Sequence, residues 1–183
     1  MQAKAQGWLK TILGWGQRRQ AEVGEKLYGE AVRVARLPVY YSDHGVADDV
    51  DGRFDMLSLI VALIMRRLKT AGDDGKELSQ QLFDSMFADM DLSLREMGAG
   101  DIGVSKRVRV MAEAFMGRLE SYVEALDKKD KELLAEALSR NLFRGDSSAD
   151  PLGSGLVDAV FAVVAALDAL DDSALLDGRI DIG

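Results

Sequence analysis

The segment from Arg53 to Lys69 is apolar almost all round, and it constrains the fold more than any other part of this chain. On a helical wheel, a narrow strip of small or polar residues consists of Asp55, Ser58, Ala62, Arg66 and Lys69. A helix of this kind packs at the centre of a bundle, because it has no broad polar face to turn toward water. We therefore expect amphipathic helices to surround it.

The remaining apolar residues recur mostly at helical spacing, with no strand-like alternation and no internal repeat in the sequence. This spacing predicts further helices at 3–19, 20–36, 77–97, 103–126, 127–141 and 156–170. The Asp- and Gly-rich stretch 39–52 is predicted to be a loop, and ordered loops of that length are often functional. The sequence thus predicts an all-α, single-domain bundle of about six or seven helices, with a long Asp/Gly-rich loop before a buried central helix.

Charge is unevenly distributed along the 183 residues, whose formal net charge is −8. Residues 1–36 hold seven Lys or Arg against three Glu, and the acidic excess lies in the rest of the chain. We divide the chain into an amphipathic N-terminal arm (1–19), a helical domain (20–170) and an acidic tail (171–183) that we expect to be frayed. An acidic body repels polyanions, so general nucleic-acid binding is not expected.

The N-terminal arm places Trp8, Ile12 and Trp15 at helical spacing, with Lys4 and Lys10 outside that face. Indole rings favour the membrane interface, so the arm is predicted to touch a membrane surface. The alternative is that it packs on its own domain or on a second copy.

No apolar run in the sequence reaches the ~18 residues of a membrane span, and no secretory signal is evident. We expect a cytoplasmic protein, with any membrane contact at the cytoplasmic face of the inner membrane.

Enzymatic chemistry has little support in the residues. The absence of cysteine excludes disulfides, thiolate metal sites and cysteine nucleophiles. His44, the single histidine, could form an acid–base pair with Asp43 or Asp48, but a capping or solvated role in the loop is the simpler interpretation. No phosphate-binding glycine loop is present. We predict no catalytic residue, no metal and no cofactor.

Three aspartates, Asp84, Asp89 and Asp91, lie on one predicted helix, as in the Asp-rich helices of Mg²⁺-dependent isoprenoid synthases. A shared metal needs carboxylates on one helix face. Asp84 and Asp91 share a face and Asp89 does not, so an isoprenoid-type enzyme is a remote alternative. Asp91 and Arg95 are four residues apart and are predicted to pair.

The junction between the loop and the central helix has a distinctive sequence. We predict that Asp51 caps the helix, that Gly52 supplies a backbone conformation open to glycine, and that Phe54 is buried. Arg53 is then either free to bind a partner's carboxylate or paired with a loop aspartate. Five methionines at 86, 90, 97, 111 and 116 form either an adaptable binding surface or simply core.

Two motifs together resemble those of the ubiquinol–cytochrome c chaperone family, which consists of assembly factors for the respiratory ubiquinol–cytochrome c reductase. The first comprises Gly45-Val46, Asp48 and Gly52-Arg53-Phe54-Asp55. The second comprises Leu82-Phe83-Asp84, Phe87, Asp89-Met90-Asp91, Leu94-Arg95-Glu96-Met97-Gly98, Gly100-Asp101, Lys106-Arg107-Val108 and Met111-Ala112-Glu113-Ala114-Phe115. The similarity spans about residues 37–143, and it is specific because both motifs occur in order.

The resemblance implies a non-enzymatic assembly chaperone that binds cytochrome b, or another reductase subunit, together with a second assembly factor. The residues predicted to bind a partner are Asp43, Gly45, Asp48, Gly52, Arg53, Asp55, Asp84, Asp89, Asp91, Arg95, Glu96, Asp101 and Lys106. A helical interaction or dimerisation module without chaperone activity is the alternative.

Overall fold

The polypeptide forms a set of α-helices, as described by a computed structural model for residues 2–96, 101–146, 148–180 and 182. For residues 2–18, 101, 102 and 105 the description is of the backbone alone. The helices are α1 (Gln2–Ala35), α2 (Val39–Ser42), α3 (Val50–Leu68), α4 (Gly72–Glu96), α5 (Asp101–Lys128), α6 (Lys131–Asn141), α7 (Leu156–Asp168) and α8 (Asp172–Leu176). Six of them are long and two are single turns, and no strand occurs in the described ranges. The predicted all-α bundle is confirmed.

Helix α3 occupies the centre of the bundle and contacts α1, α4, α5 and α7. Every residue from Asp55 to Ile64 is buried, including the polar Asp55 and Ser58 of the predicted strip. Burial of so many aliphatic side chains, at roughly 25 cal/mol per Å² of apolar surface, makes this helix the main contributor to the core. The prediction of a buried central helix is therefore confirmed.

Two phenylalanines of α4 pack against α5. Phe83, Phe87 and Phe115 form a three-ring cluster, with the Phe83 and Phe87 centroids 4.6 Å apart and Phe115 edge-on to both. On α5, Val104 and Tyr122 are buried on the same inward side. Both segments form helices, as the spacing of their apolar residues predicted.

Several helix ends differ from the predictions. Where the sequence predicted two helices at 3–19 and 20–36, the structure has the single helix α1, because no proline or cap separates the two segments. Part of the predicted loop 39–52 is helical, since Pro38 allows the short α2 to begin and Asp49 starts α3 at Val50. Helix α4 begins at Gly72 rather than at residue 77, with acidic residues in its first turn.

The described part of the acidic tail, residues 171–180 and 182, packs on the core rather than fraying, contrary to the prediction. Leu175 on α8, Ile180 and Ile182 are all buried in the core. Arg19 forms an ion pair with Asp177 at 2.9 Å, and Arg33 donates a hydrogen bond to the carbonyl oxygen of Ile182 at 3.2 Å. The apolar residues of a short segment are easily overlooked beside its aspartates, but they decide its packing.

Candidate functional site

A cleft of about 600 Å³ opens between α1, α3, α4 and α5. Most of the residues that line it are apolar, and charged side chains stand among them. The lining consists of Tyr28, Val32, Ala35, Arg36, Val50, Asp51, Arg53, Phe54, Leu57, Asp89, Met90, Ser93, Leu94, Glu96 and Met111. A concave, largely apolar site with a few charged groups is the usual form of a binding site.

The apolar side of the cleft is formed by residues that the helices leave half-buried. Phe54 was predicted to be buried, but it lies only half-buried at the start of α3 and faces the cleft. Met90 on α4 and Met111 on α5 are also half-buried, and each lines the side of the cleft that its own helix forms. Two of the five methionines therefore line an open surface, whereas Met86 is fully buried in the core.

A hydrogen bond joins two helices at the cleft. The hydroxyl of Tyr28 on α1 donates to Oδ2 of Asp89 on α4 at 2.6 Å. Partial burial, and then the hydrogen bond to Asp89, raise the pKa of Tyr28 above its ordinary value, so the hydroxyl stays protonated and remains a donor. The role of Asp89 in this structure is thus to hold α1 and α4 together beside the cleft.

Arg53 is paired within the chain, which is the second of the two predicted roles. Its Nε donates to Oδ1 of Asp48 at 2.7 Å, and its guanidinium lies 5.7 Å from the centroid of the Tyr41 ring. The hydrogen bond to Asp48 and the attraction of its charge raise the pKa of Arg53. About half of the side chain is still exposed at the cleft, so the guanidinium keeps donors that a ligand could use.

The junction before α3 differs in detail from the prediction. Asp49, and not Asp51, is the N-cap residue, and its Oδ1 accepts a hydrogen bond from the amide of Gly52 at 2.7 Å. Gly52 is required by a close approach rather than by an unusual backbone conformation, because a Cβ there would overlap the carbonyl oxygen of Ala47. Positive φ occurs instead at Gly45, at +73°.

Asp55 lies in the interior, where two arginines neutralise it. The side chain is 1% exposed, and its carboxylate is bonded to Arg118 on α5 and to Arg144 after α6. Burial raises the pKa of Asp55, while the two guanidinium groups oppose that shift. Arg144 also pairs with Asp51 at 2.9 Å, which connects this interior group to the cleft.

Sequence reasoning missed both arginines that bind Asp55. One signal was available: an aspartate on a helix that is otherwise apolar all round requires a cationic partner, because an unpaired buried carboxylate is costly. The sequence could not identify Arg118 or Arg144 as that partner, since they are distant in the chain.

Asp84, Asp89 and Asp91, the aspartates compared with an Mg²⁺ site in the sequence, each have a different neighbour. Asp84 accepts a hydrogen bond from Gln80 at 2.8 Å, Asp89 from Tyr28, and Asp91 from Arg95. The predicted pairing of Asp91 with Arg95 is confirmed. Across the described part of the chain, no three His, Cys, Asp or Glu side chains are grouped so that they could hold a metal ion.

His44 is not assembled into an acid–base pair. Its Nδ1 lies 2.6 Å from the carbonyl oxygen of Ser154, so the ring secures the loop to the turn before α7. Asp43 accepts a hydrogen bond from the hydroxyl of Ser42, and Asp48 is paired with Arg53. The ring is therefore structural, but it joins the loop to a distant turn and is half-buried, whereas the sequence favoured a capping or solvated ring.

The predicted partner-binding residues are thus divided among several places. Arg53, Asp89 and Glu96 line the cleft. Those on or beside the loop are Asp43, Gly45, Asp48 and Gly52, whereas Asp55 is internal, Asp84, Asp91 and Arg95 are on α4, and Lys106 is exposed on α5. The side chains of Asp101, Trp8, Ile12 and Trp15 lie outside the described residues. None of the described helices is long and apolar enough to cross a membrane.

These features define a class of protein: a single-domain all-α bundle with an open, largely apolar cleft. Comparison with known proteins is consistent with this class. Residues 42–182 match the family model described as ubiquinol–cytochrome C chaperone. The chain is 28% identical over 142 residues to ubiquinol-cytochrome-c reductase complex assembly factor 1 of Xenopus laevis, covering 77% of this chain and 70% of that protein.

A solved structure shows the same fold. The crystal structure of the Cbp3 homolog from Brucella abortus aligns with a TM-score of 0.81 and 34% sequence identity, covering 94% of each chain. Because the family model matches most of the sequence, the chain belongs to the ubiquinol–cytochrome c chaperone family. The family resemblance of the two sequence motifs is confirmed.

Proposed function

We propose that this protein is a non-enzymatic assembly chaperone for the respiratory ubiquinol–cytochrome c reductase and that it binds cytochrome b during its maturation. The observation that carries the proposal is the apolar cleft, which is lined in part by Arg53, Phe54, Asp89 and Met90 from the two family motifs. The related frog protein is named as an assembly factor of the same complex.

The chemistry of the cleft suits an unassembled membrane subunit. Such a client exposes apolar segments that later pack inside the complex, and binding them removes apolar surface from water. Met90 and Met111 supply flexible, polarisable contacts that adapt to different apolar shapes. Charged groups such as Arg36, Asp51 and Glu96 can bind the polar residues that flank an apolar segment.

A role without catalysis is supported by the partners of the polar groups. Asp84, Asp89 and Asp91 accept hydrogen bonds from Gln80, Tyr28 and Arg95 respectively, and the ring of His44 is within hydrogen-bond distance of a backbone carbonyl. Each of these contacts stabilises the fold or holds a loop.

We further propose that a second assembly factor acts with this protein and that the arm 1–19 contacts the membrane through Trp8, Ile12 and Trp15.

The experiment is a tagged pull-down from gently solubilised source membranes, comparing wild type with Met90→Glu. A carboxylate in the cleft should prevent an apolar segment from binding, and Met90 is half-buried, so the fold should tolerate the change. The matched control is Leu92→Glu on the same helix, where the side chain is 55% exposed and lies outside the cleft.

Recovery of cytochrome b by wild type and by Leu92→Glu, but not by a folded Met90→Glu, supports the proposal. Recovery of one folded protein without cytochrome b would instead favour an interaction module.

The membrane contact of the arm is tested separately, by vesicle flotation of the chain without residues 1–19. Unchanged membrane association would contradict the membrane contact without affecting the client proposal.

A further inference from the structure

Two walls of the cleft are helices that run side by side in the same direction. Gln20 of α1 donates a hydrogen bond to Glu77 of α4 at 2.8 Å, and further along both helices Tyr28 donates to Asp89. Beyond the second bond each helix continues for roughly 10 Å, or two turns, and its cleft-lining residues lie along those turns. The cleft is therefore a groove with the length of two turns of a helix.

Five charged residues line the groove, and most of them are already bound within the chain. Those whose side chains are bound to other residues are Asp51, Arg53 and Asp89. The other two, Arg36 and Glu96, have exposed side chains that make no ion pair or hydrogen bond with any residue that the structure describes. These two charges are available to a molecule that enters the groove.

The two available charges have opposite signs and belong to opposite walls at the same end of the groove. Arg36 directly follows α1, and Glu96 is the last residue of α4. Burial raises the pKa of Tyr28, and the positive charge of Arg36 opposes that shift, so the guanidinium lies near the groove. The rest of the lining is mostly apolar and includes Phe54 and Met90. The groove thus combines an apolar floor with one cationic and one anionic edge.

We propose that the cleft binds two turns of a client helix whose apolar stripe has an acidic residue on one flank and a basic residue on the other. The acidic residue pairs with Arg36 and the basic residue with Glu96, while the stripe contacts Phe54 and Met90. This pairing rests on the proposed function, because it takes the occupant of the cleft to be a client.

Both charges together select the composition and the direction of the client segment. A ligand with a single anionic group would leave Glu96 unpaired, and a helix with two flanks of one sign would bring like charges together at one wall. Reversing a helix in the groove exchanges its two flanks. A segment with one charge of each sign therefore fits in one direction only.

The test measures the binding of synthetic peptides to the full chain by fluorescence anisotropy at low salt. The peptides share one leucine stripe on a helix of several turns and differ only in its flanks, which carry glutamate and lysine, two lysines, two glutamates, or two glutamines. Wild type should bind the glutamate–lysine peptide about fivefold more tightly than the glutamine peptide. Added salt should weaken this preference, since exposed ion pairs are screened.

Reversing one charge of the groove should change which peptide is preferred. Arg36→Glu leaves carboxylates on both walls and should prefer the two-lysine peptide, whereas Glu96→Arg leaves guanidinium groups on both walls and should prefer the two-glutamate peptide. Both side chains are exposed, so the fold should tolerate either change. The matched control is Lys26→Glu, an exposed position on α1 outside the cleft, which should keep the wild-type order of affinities.

The glutamine peptide distinguishes this inference from the proposed function. It should bind wild type and the charge variants alike and should not bind Met90→Glu, because it uses only the apolar part of the cleft. Equal affinity of wild type for all the peptides, or charge reversals that leave the order of affinities unchanged, would overturn the role of Arg36 and Glu96 while the apolar site stands. Failure of every peptide to bind would overturn both proposals.

Discussion

Arg118 on α5 donates a hydrogen bond to the carboxylate of Asp55 on α3, deep in a helix interface where Asp55 is 1% exposed. Arg144 approaches the same carboxylate from the turn after α6, at 3.4 Å, and also binds Asp51 near the cleft. Three segments of the chain are therefore held by one buried charge. A buried charge of this kind makes the geometry specific, because each partner that is lost leaves the charge less compensated.

Arg118→Ala should lower the free energy of unfolding by about 3 kcal/mol, because it leaves a buried carboxylate with one partner in place of two. The measurement is urea unfolding at neutral pH. The matched control on the same helix is Lys128→Ala, which removes an exposed ion pair with Glu124 and should change the midpoint little. Equal effects of the two changes would contradict the central role of the Asp55 group.

The stability of wild type should depend on pH through Asp55. Burial raises the pKa of Asp55 in the folded state above its ordinary value of 3.8. The folded state then binds a proton more tightly than the unfolded state, so this stabilising contribution is complete below the unfolded pKa and is lost as pH rises through the folded pKa. Unfolding free energies measured from pH 3.5 upward should show wild type losing stability relative to Asp55→Asn until its carboxyl is ionised. A difference that stays constant with pH would contradict the raised pKa.

Gly52→Ala should destabilise the protein by at least about 2 kcal/mol, because the added Cβ would overlap the backbone carbonyl of Ala47. Gly29→Ala provides the opposite control. That glycine is exposed within α1, a Cβ there meets nothing within 4 Å, and alanine should stabilise the helix by about 0.5–1 kcal/mol. Thermal unfolding of the two variants should therefore shift in opposite directions.

Leu175→Ala should cost about 2–4 kcal/mol, the usual loss for a fully buried leucine. Leu152→Ala, at an exposed leucine before α7, is the control and should have little effect. Denaturant unfolding distinguishes the two. If Leu175→Ala unfolds like wild type, the tail does not contribute to the core in solution.

Much of the fold could be predicted from local patterns. The apolar run of α3 identified the central helix, and the spacing of apolar residues predicted a helix at 77–97, where α4 lies. The pairing of Asp91 with Arg95 followed from their spacing alone. Helix starts were less predictable, because Asp49 and Asp51 are equally suitable as caps until the chain direction before α3 is known.

By itself the sequence determined the helical class, the central helix and the family motifs, since all of these depend on residues that are close in the chain. Only the tertiary structure decided that Arg118 and Arg144 meet at Asp55, that Phe54 and Met90 line one cleft, and that Ile182 is buried. The physical reason is that helical periodicity specifies which side of a segment avoids water but not which other segment covers it. That choice depends on the packing of all the helices together.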